Sequence, residues 1–282
     1  MSATYKKEYG LGAHRVLAWS ACLWLVVLAC CWPGAMPAHA AEASVPEPPI
    51  VGAGERSNRV AAAYLDWRSR FLENETNSET AWQVSRACFA RADFATNNAQ
   101  RAAIAEQGIA ASRRAIRLQT NSAAGYFYLG VNLGQLARTK LFTALGLLDE
   151  MEEAWKRSIA IEPKFHFAAA HRSLGLLYLE APGWPLSLGS RSKARRELQK
   201  AIELVPGYPE NQICWLEARL RWGETRAVQT QLAAVEALLA SARANFSGAG
   251  WAQDWQDWNA RWNSIRSRAE KAALARSPRD SR

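Results

Sequence analysis

Catalysis needs nucleophiles, bases or metal ligands brought together, and the chain offers few. Beyond residue 40 it holds two histidines, His166 and His171, and two cysteines, Cys88 and Cys214. The histidines stand at i and i+5, which separates them around a helix. There is no Cys-x-x-Cys pair, no His-Glu-x-x-His run, no Gly-x-Ser-x-Gly elbow and no glycine-rich phosphate loop. Asp149, Glu150, Glu152 and Glu153 cluster around Met151, at a spacing that suits a solvated helix surface better than a cation site. The residue types therefore lead us to expect no enzyme, no cofactor and no metal. Tryptophan is the abundant chemical resource, with 13 in 282 residues. Trp251, Trp255, Trp258 and Trp262 are spaced 4, 3 and 4, with Ile265 continuing the row on one helical face. Such a stripe could stack sugars, sit at a membrane interface or cap a helical stack. The cap is the reading we favour.

The elements that would position these residues repeat. Small residues of three opening helices fall at Ser85, Gly130 and Gly175, a spacing of 45 both times. Small residues of three closing helices fall at Ala115, Ser158 and Ala201, a spacing of 43 both times. At each site a small side chain lets a neighbouring helix approach, with apolar residues beside it at i+3 or i+4. Pro163 and Pro206 stop two of the closing helices. A helical pair cannot bury its own apolar face, so copies must stack. The fold class expected is all-α, an α-α superhelix with long inserts inside the repeats and a C-terminal capping helix. A fourth, weaker pair opens at Pro209 with Trp215 and Trp222, and closes with one helix from Ala227 to Leu239. A preceding helix starts near Ser57 as N-cap and carries Val60, Tyr64, Trp67 and Phe71 on one face.

The first forty residues read as an export signal. Lys6, Lys7 and Arg15 precede an apolar run from Val16 to Trp32, and Ala38, His39 and Ala40 form a small-x-small cleavage site. Two other readings stand beside cleavage after Ala40. The run is nearly long enough for a membrane span, and Val27, Leu28, Ala29 and Cys30 resemble a bacterial lipobox, in which Cys30 would be acylated. Periplasm or secretion is expected, or a membrane-tethered lipoprotein in the last case. The formal charge of +9 alone would suggest nucleic acid, but export argues against it. Removing Lys6, Lys7, Arg15 and Glu8 leaves +7. The division expected is a signal peptide over 1–40, a flexible leader over 41–56, repeats over 57–245, a tryptophan-rich helix over 246–275 and a disordered basic tail over 276–282. Arg261, Arg266, Arg268, Lys271, Arg276, Arg279 and Arg282 concentrate charge near that end, as a solvated helix end or a contact for anionic lipid.

Leu174, Gly175 and Tyr178, followed by Ala194, Leu198, Ala201 and Pro206, resemble the tetratricopeptide signature; Leu129, Gly130 and Pro163 repeat it. Ser85 and Thr120 depart from it in the first unit. The standard unit is about 34 residues, so about nine are inserted here. The stretch from Leu176 to Asn211 behind a signal peptide further resembles the T-component family of tripartite ATP-independent periplasmic transporters and related exported repeat proteins. That resemblance implies a non-enzymatic periplasmic protein whose partner is an extracytoplasmic substrate-binding protein. A small amphipathic ligand fits the same lining, and an envelope-assembly scaffold without a solute role is the alternative. The tetratricopeptide pattern places Trp82, Arg86, Phe89, Phe127, Val131, Gln135, Arg172, Leu176, Glu180, Glu217 and Arg221 in a concave groove. Trp184, between Gly183 and Pro185 in the longest insert, either plugs a gap or anchors a protein interface. Stacking in order puts Cys88 in the first unit and Cys214 in the fourth, too far apart to bridge, so two separate buried thiols are expected.

Overall fold

The computed structural model describes residues 53–140 and 144–274. The export segment, the Cys30 lipobox, most of the leader and the tail over 276–282 lie outside the described residues. The described residues contain no strand; eleven α-helices account for nearly all regular structure. They divide between two compact bodies that meet in sequence at Leu148.

The N-terminal body contains α1 (Ala53–Glu73), α2 (Ser78–Ala92), α3 (Asn98–Leu118) and α4 (Ala123–Ala137). Each of the last three starts where the sequence offers a side-chain oxygen to otherwise orphaned amides. Asn77 accepts from Glu79 N and Thr80 N, Asn97 from Gln100 N, and Ser122 from Gly125 N. α1 spans Ala53–Glu73, so Ser57 lies inside the helix and is not its cap. Its expected face holds: Val60 is buried, and Tyr64, Trp67 and Phe71 pack on Val84, Cys88 and Ile104.

The C-terminal body holds most of α5 (Ala144–Ile161), then α6 (Phe165–Glu180), α7 (Arg191–Leu204), α8 (Pro209–Arg221), α9 (Thr225–Gln229), α10 (Leu232–Asn245) and α11 (Ala252–Leu274). Leu198 of α7 packs on Gly175 of α6, where a Cβ would stand 2.6 Å from Leu198 Cγ. The repeat signature is thus a steric statement about one helix crossing. The expected closing helix from Ala227 to Leu239 is two helices. Thr230 ends the first, its hydroxyl bonded back to Ala227 O at 3.0 Å, and Gln229 Nε2 donates to Ala269 O at 2.7 Å.

α6 opens unusually. His166, Phe167 and Ala168 have φ of 47°, 61° and 60°, a left-handed region that costs non-glycine residues about 1–2 kcal/mol each. The surroundings hold it. Phe167 stacks on Tyr208 at 4.4 Å and meets Phe246 and Trp251 edge-on, while its carbonyl accepts from Arg172 and Asn211.

Candidate partner-binding surface

In the N-terminal body, the residues expected in a groove are mostly interior. Trp82, Phe89, Phe127, Val131 and Gln135 are buried, whereas Arg86 is half-buried. Trp82 stacks on Tyr128 at 5.7 Å and donates its indole N–H to Glu79 at 3.0 Å. Phe127 meets Tyr128 edge-on at 5.1 Å. Gln135 donates to Asp93 at 3.0 Å and accepts from Arg138 at 2.9 Å, tying α4 to the end of α2. Trp82 and Phe127 thus both spend ring contacts on Tyr128, inside the body. The recurring small residue carries its own polar knot. Asn132 Nδ2 donates to Ser85 O, Ser85 Oγ and Tyr128 O at 2.9–3.1 Å, and Ser85 Oγ lies 2.5 Å from Ser112 Oγ.

In the C-terminal body the expected polar lining is paired within the fold. Arg172 is buried, donates to Asn211 Oδ1 at 2.7 Å and lies over Tyr208. Asn211 in turn donates to Ala201 O at 3.0 Å, so one amide joins α6, α7 and α8. Leu176 is core. Glu180 pairs with Arg221, and Glu217 takes two hydrogen bonds from Arg261 at 2.8 and 2.7 Å. Buried Glu210 accepts from Arg261 at 2.7 Å and from the Trp258 indole at 2.7 Å. Burial alone would push the Arg261 guanidinium toward neutrality, but Glu210 and Glu217 hold it well above the usual arginine range. Arg261 is therefore a tie between α8 and α11, not part of a solvated basic end, and Arg266 pairs with Glu236.

The tryptophan stripe caps the C-terminal body. Trp255, Trp258, Trp262 and Ile265 are buried against α8 and its neighbours, with the Trp255 indole on Phe246 O at 2.6 Å. Those three rings are too enclosed for sugar stacking or membrane contact, whereas Trp251 precedes the helix in a 3-10 turn, half-buried and edge-on to Phe167 and Phe246. Both thiols are free and buried. Burial raises Cys88 to about 12 against the weaker pull of Arg91, and burial then Glu210 raise Cys214. His171 Nδ1 sits 2.8 Å from Glu197, 26 residues along, and Glu152 accepts the Tyr178 hydroxyl at 2.5 Å. Among the described residues no three His, Cys, Asp or Glu side chains are arranged to hold a metal, and no helix is long and apolar enough to cross a membrane.

One cluster escaped the sequence reading. Glu224, just past α8, accepts from Arg191 at 2.6 Å, from Arg195, and from Arg219 at 3.0 Å. Arg195 and Arg219 lie over Trp215, and Arg191 and Arg195 over Trp222. Burial favours the neutral acid, but three guanidinium hydrogen bonds outweigh it and bring Glu224 down to about 2. Arg191 and Glu224 are 33 residues apart, a pairing that no local spacing announces. Trp184, by contrast, plugs nothing: it stands in the α6–α7 insert with its side chain in solvent.

No family model matches the chain, and no curated protein does. Among solved structures it is similar to TTC0263, a thermophilic TPR protein of Thermus thermophilus, at 20% identity and a TM-score of 0.53, over 74% of this chain and 91% of that one. Two structures of MamA align more loosely, both at 18% identity, with TM-scores of 0.43 and 0.44 over 69% and 70% of this chain and 95% and 98% of theirs. The first likeness, together with the recurring crossings at Ser85 and Gly175, gives the fold: all-α and tetratricopeptide-like.

Proposed function

We propose that the chain is an exported helical-repeat scaffold that holds a protein partner, as an accessory of a periplasmic solute transporter that contacts its substrate-binding protein. The observation that supports this most is how its polar groups are used. Five strong donors and acceptors described above, Asn132, Arg172, Asn211, Glu210 and Arg261, each join one helix to another. A framework so tied offers shape and surface to a partner, which is what helical repeats do with their faces. The basic, apolar, small-x-small order of the first forty residues supports export, and the stretch from Leu176 to Asn211 supports the transporter branch. Affinity capture from envelope extracts with the tagged protein tests the reading. A substrate-binding protein of a solute transporter is expected in the eluate, reduced when half-buried Arg86 is replaced in Arg86→Glu. Recovery only of proteins unrelated to uptake would remove the transporter role.

A further inference from the structure

From Ala181 to Arg196 the chain carries four cations: Arg191 and Arg195 are held by Glu224, while Lys193 and Arg196 make only surface pairs, with Glu152 at 3.8 Å and Glu197 at 3.1 Å. This stretch also presents the two large apolar side chains that reach furthest into solvent among the described residues: Trp184 is 88% exposed and Leu186 66%. The loop that carries them is folded on itself. Gly189 N donates to Pro182 O at 2.9 Å, Leu186 N to Gly183 O at 3.1 Å, and Ser190 N to Tyr178 O at 2.9 Å. Its foot is the capped start of α7, where Ser190 accepts from Lys193 N. Arg191 and Arg196 leave that helix 55% and 70% exposed.

We propose that this loop docks on an anionic phospholipid bilayer, with Trp184 and Leu186 entering the headgroup region and Lys193 and Arg196, which stand outside the Glu224 cluster, meeting lipid phosphates. Tryptophan favours that interface because its ring is apolar and its indole N–H can stay hydrated. A protein interface needs roughly 800 Å² per partner, and two side chains on a projecting tip supply far less. A bilayer has no such threshold: a few apolar insertions and nearby cations add their contributions. The internal hydrogen bonds keep the ordering cost of docking low. The proposal stands apart from the partner reading and goes beyond it.

The test uses the protein from Ala41 onward, without Trp19, Trp24 and Trp32 of the export segment, and phosphatidylglycerol–phosphatidylcholine vesicles whose acyl chains carry bromine, a contact quencher of tryptophan. A quenched component of the emission is expected in the wild type and absent in Trp184→Ala, which isolates this ring from the other tryptophans. Leu186→Ser should weaken the vesicle dependence of that component about ten-fold. Arg196→Gln should weaken it about five-fold, and salt should weaken it further. Phosphatidylcholine alone should quench little. Equal quenching in Trp184→Ala and wild type would overturn the proposal. So would a loss of self-association or of a captured protein in Trp184→Ala without any change in vesicle quenching, because the loop would then be a protein contact.

Discussion

Glu224 shows what a single side chain holds in place. Its carboxylate joins Arg191 and Arg195 of α7 to Arg219 of α8, and those guanidiniums cover Trp215 and Trp222. Neutralising it would leave three cations facing one another. The folded acid titrates near 2 against an ordinary value of 4.5. A depressed carboxylate stabilises the fold fully above the ordinary value and progressively less as pH falls toward the folded one. The stability difference between the wild type and Glu224→Gln should therefore be constant above about pH 4.5 and close toward pH 2, as read from denaturation midpoints along a pH series. A difference that ignores pH would mean that the arginines do not depend on this charge. The two buried thiols illustrate the opposite case: apolar surroundings keep them protonated, and inert thiols of this kind are packing groups.

Between helices, what repeats in sequence proved to be contact geometry, and what does not repeat proved to be polar ties. The crossing residues Ser85, Gly130, Gly175, Ala115, Ser158 and Ala201 are all buried, and at Gly175 a Cβ would stand 2.6 Å from Leu198 Cγ of the next helix. That constraint must recur with the repeat, so it was legible. So was the stripe of Trp255, Trp258 and Trp262, whose helical period of about 3.6 residues names a buried face. The start of α1 and the break after Gln229 were not, since a proline-rich leader hides the one and a bond from Gln229 to Ala269 fixes the other. The partners of the groove candidates were hidden for the same reason: Arg172 finds Asn211 39 residues away, Glu217 finds Arg261 44 residues away, and Arg261 also meets Glu210, 51 residues from it. Only the fold reveals such partners. The last of these pairs should be expensive to break from one side. Arg261→Ala leaves Glu210 buried without its cation, and the loss expected is about 3–5 kcal/mol in chemical denaturation. The double variant Glu210→Gln with Arg261→Met should recover a large part of it. A loss under about 1 kcal/mol for Arg261→Ala would show that α11 is held by its tryptophans alone.

Helical repeats stack each unit on its neighbours, an arrangement in which stability can be a sum of local interfaces instead of one global transition. The chain's two bodies are each compact, and each has its own apolar cluster and its own polar knot. The knot in the N-terminal body offers a sharp perturbation. A Cβ on Gly108 would stand 2.2 Å from Asn132 Oδ1. Asn132 has little room to give, because Ser85 and Tyr128 hold its amide. Overpacking of this kind costs about 1–3 kcal/mol. If local interfaces dominate, Gly108→Ala should raise amide exchange across α2, α3 and α4 while leaving α8 and α11 as protected as in the wild type. Trp258→Ala, which empties the centre of the other cluster, should do the converse. Hydrogen exchange followed by mass spectrometry resolves both sets of peptides in one experiment. Equal loss of protection in the two bodies from either substitution would make the chain one cooperative unit. Partner binding to either body would then be sensed in both, whereas independent opening would confine that response to the body that is touched.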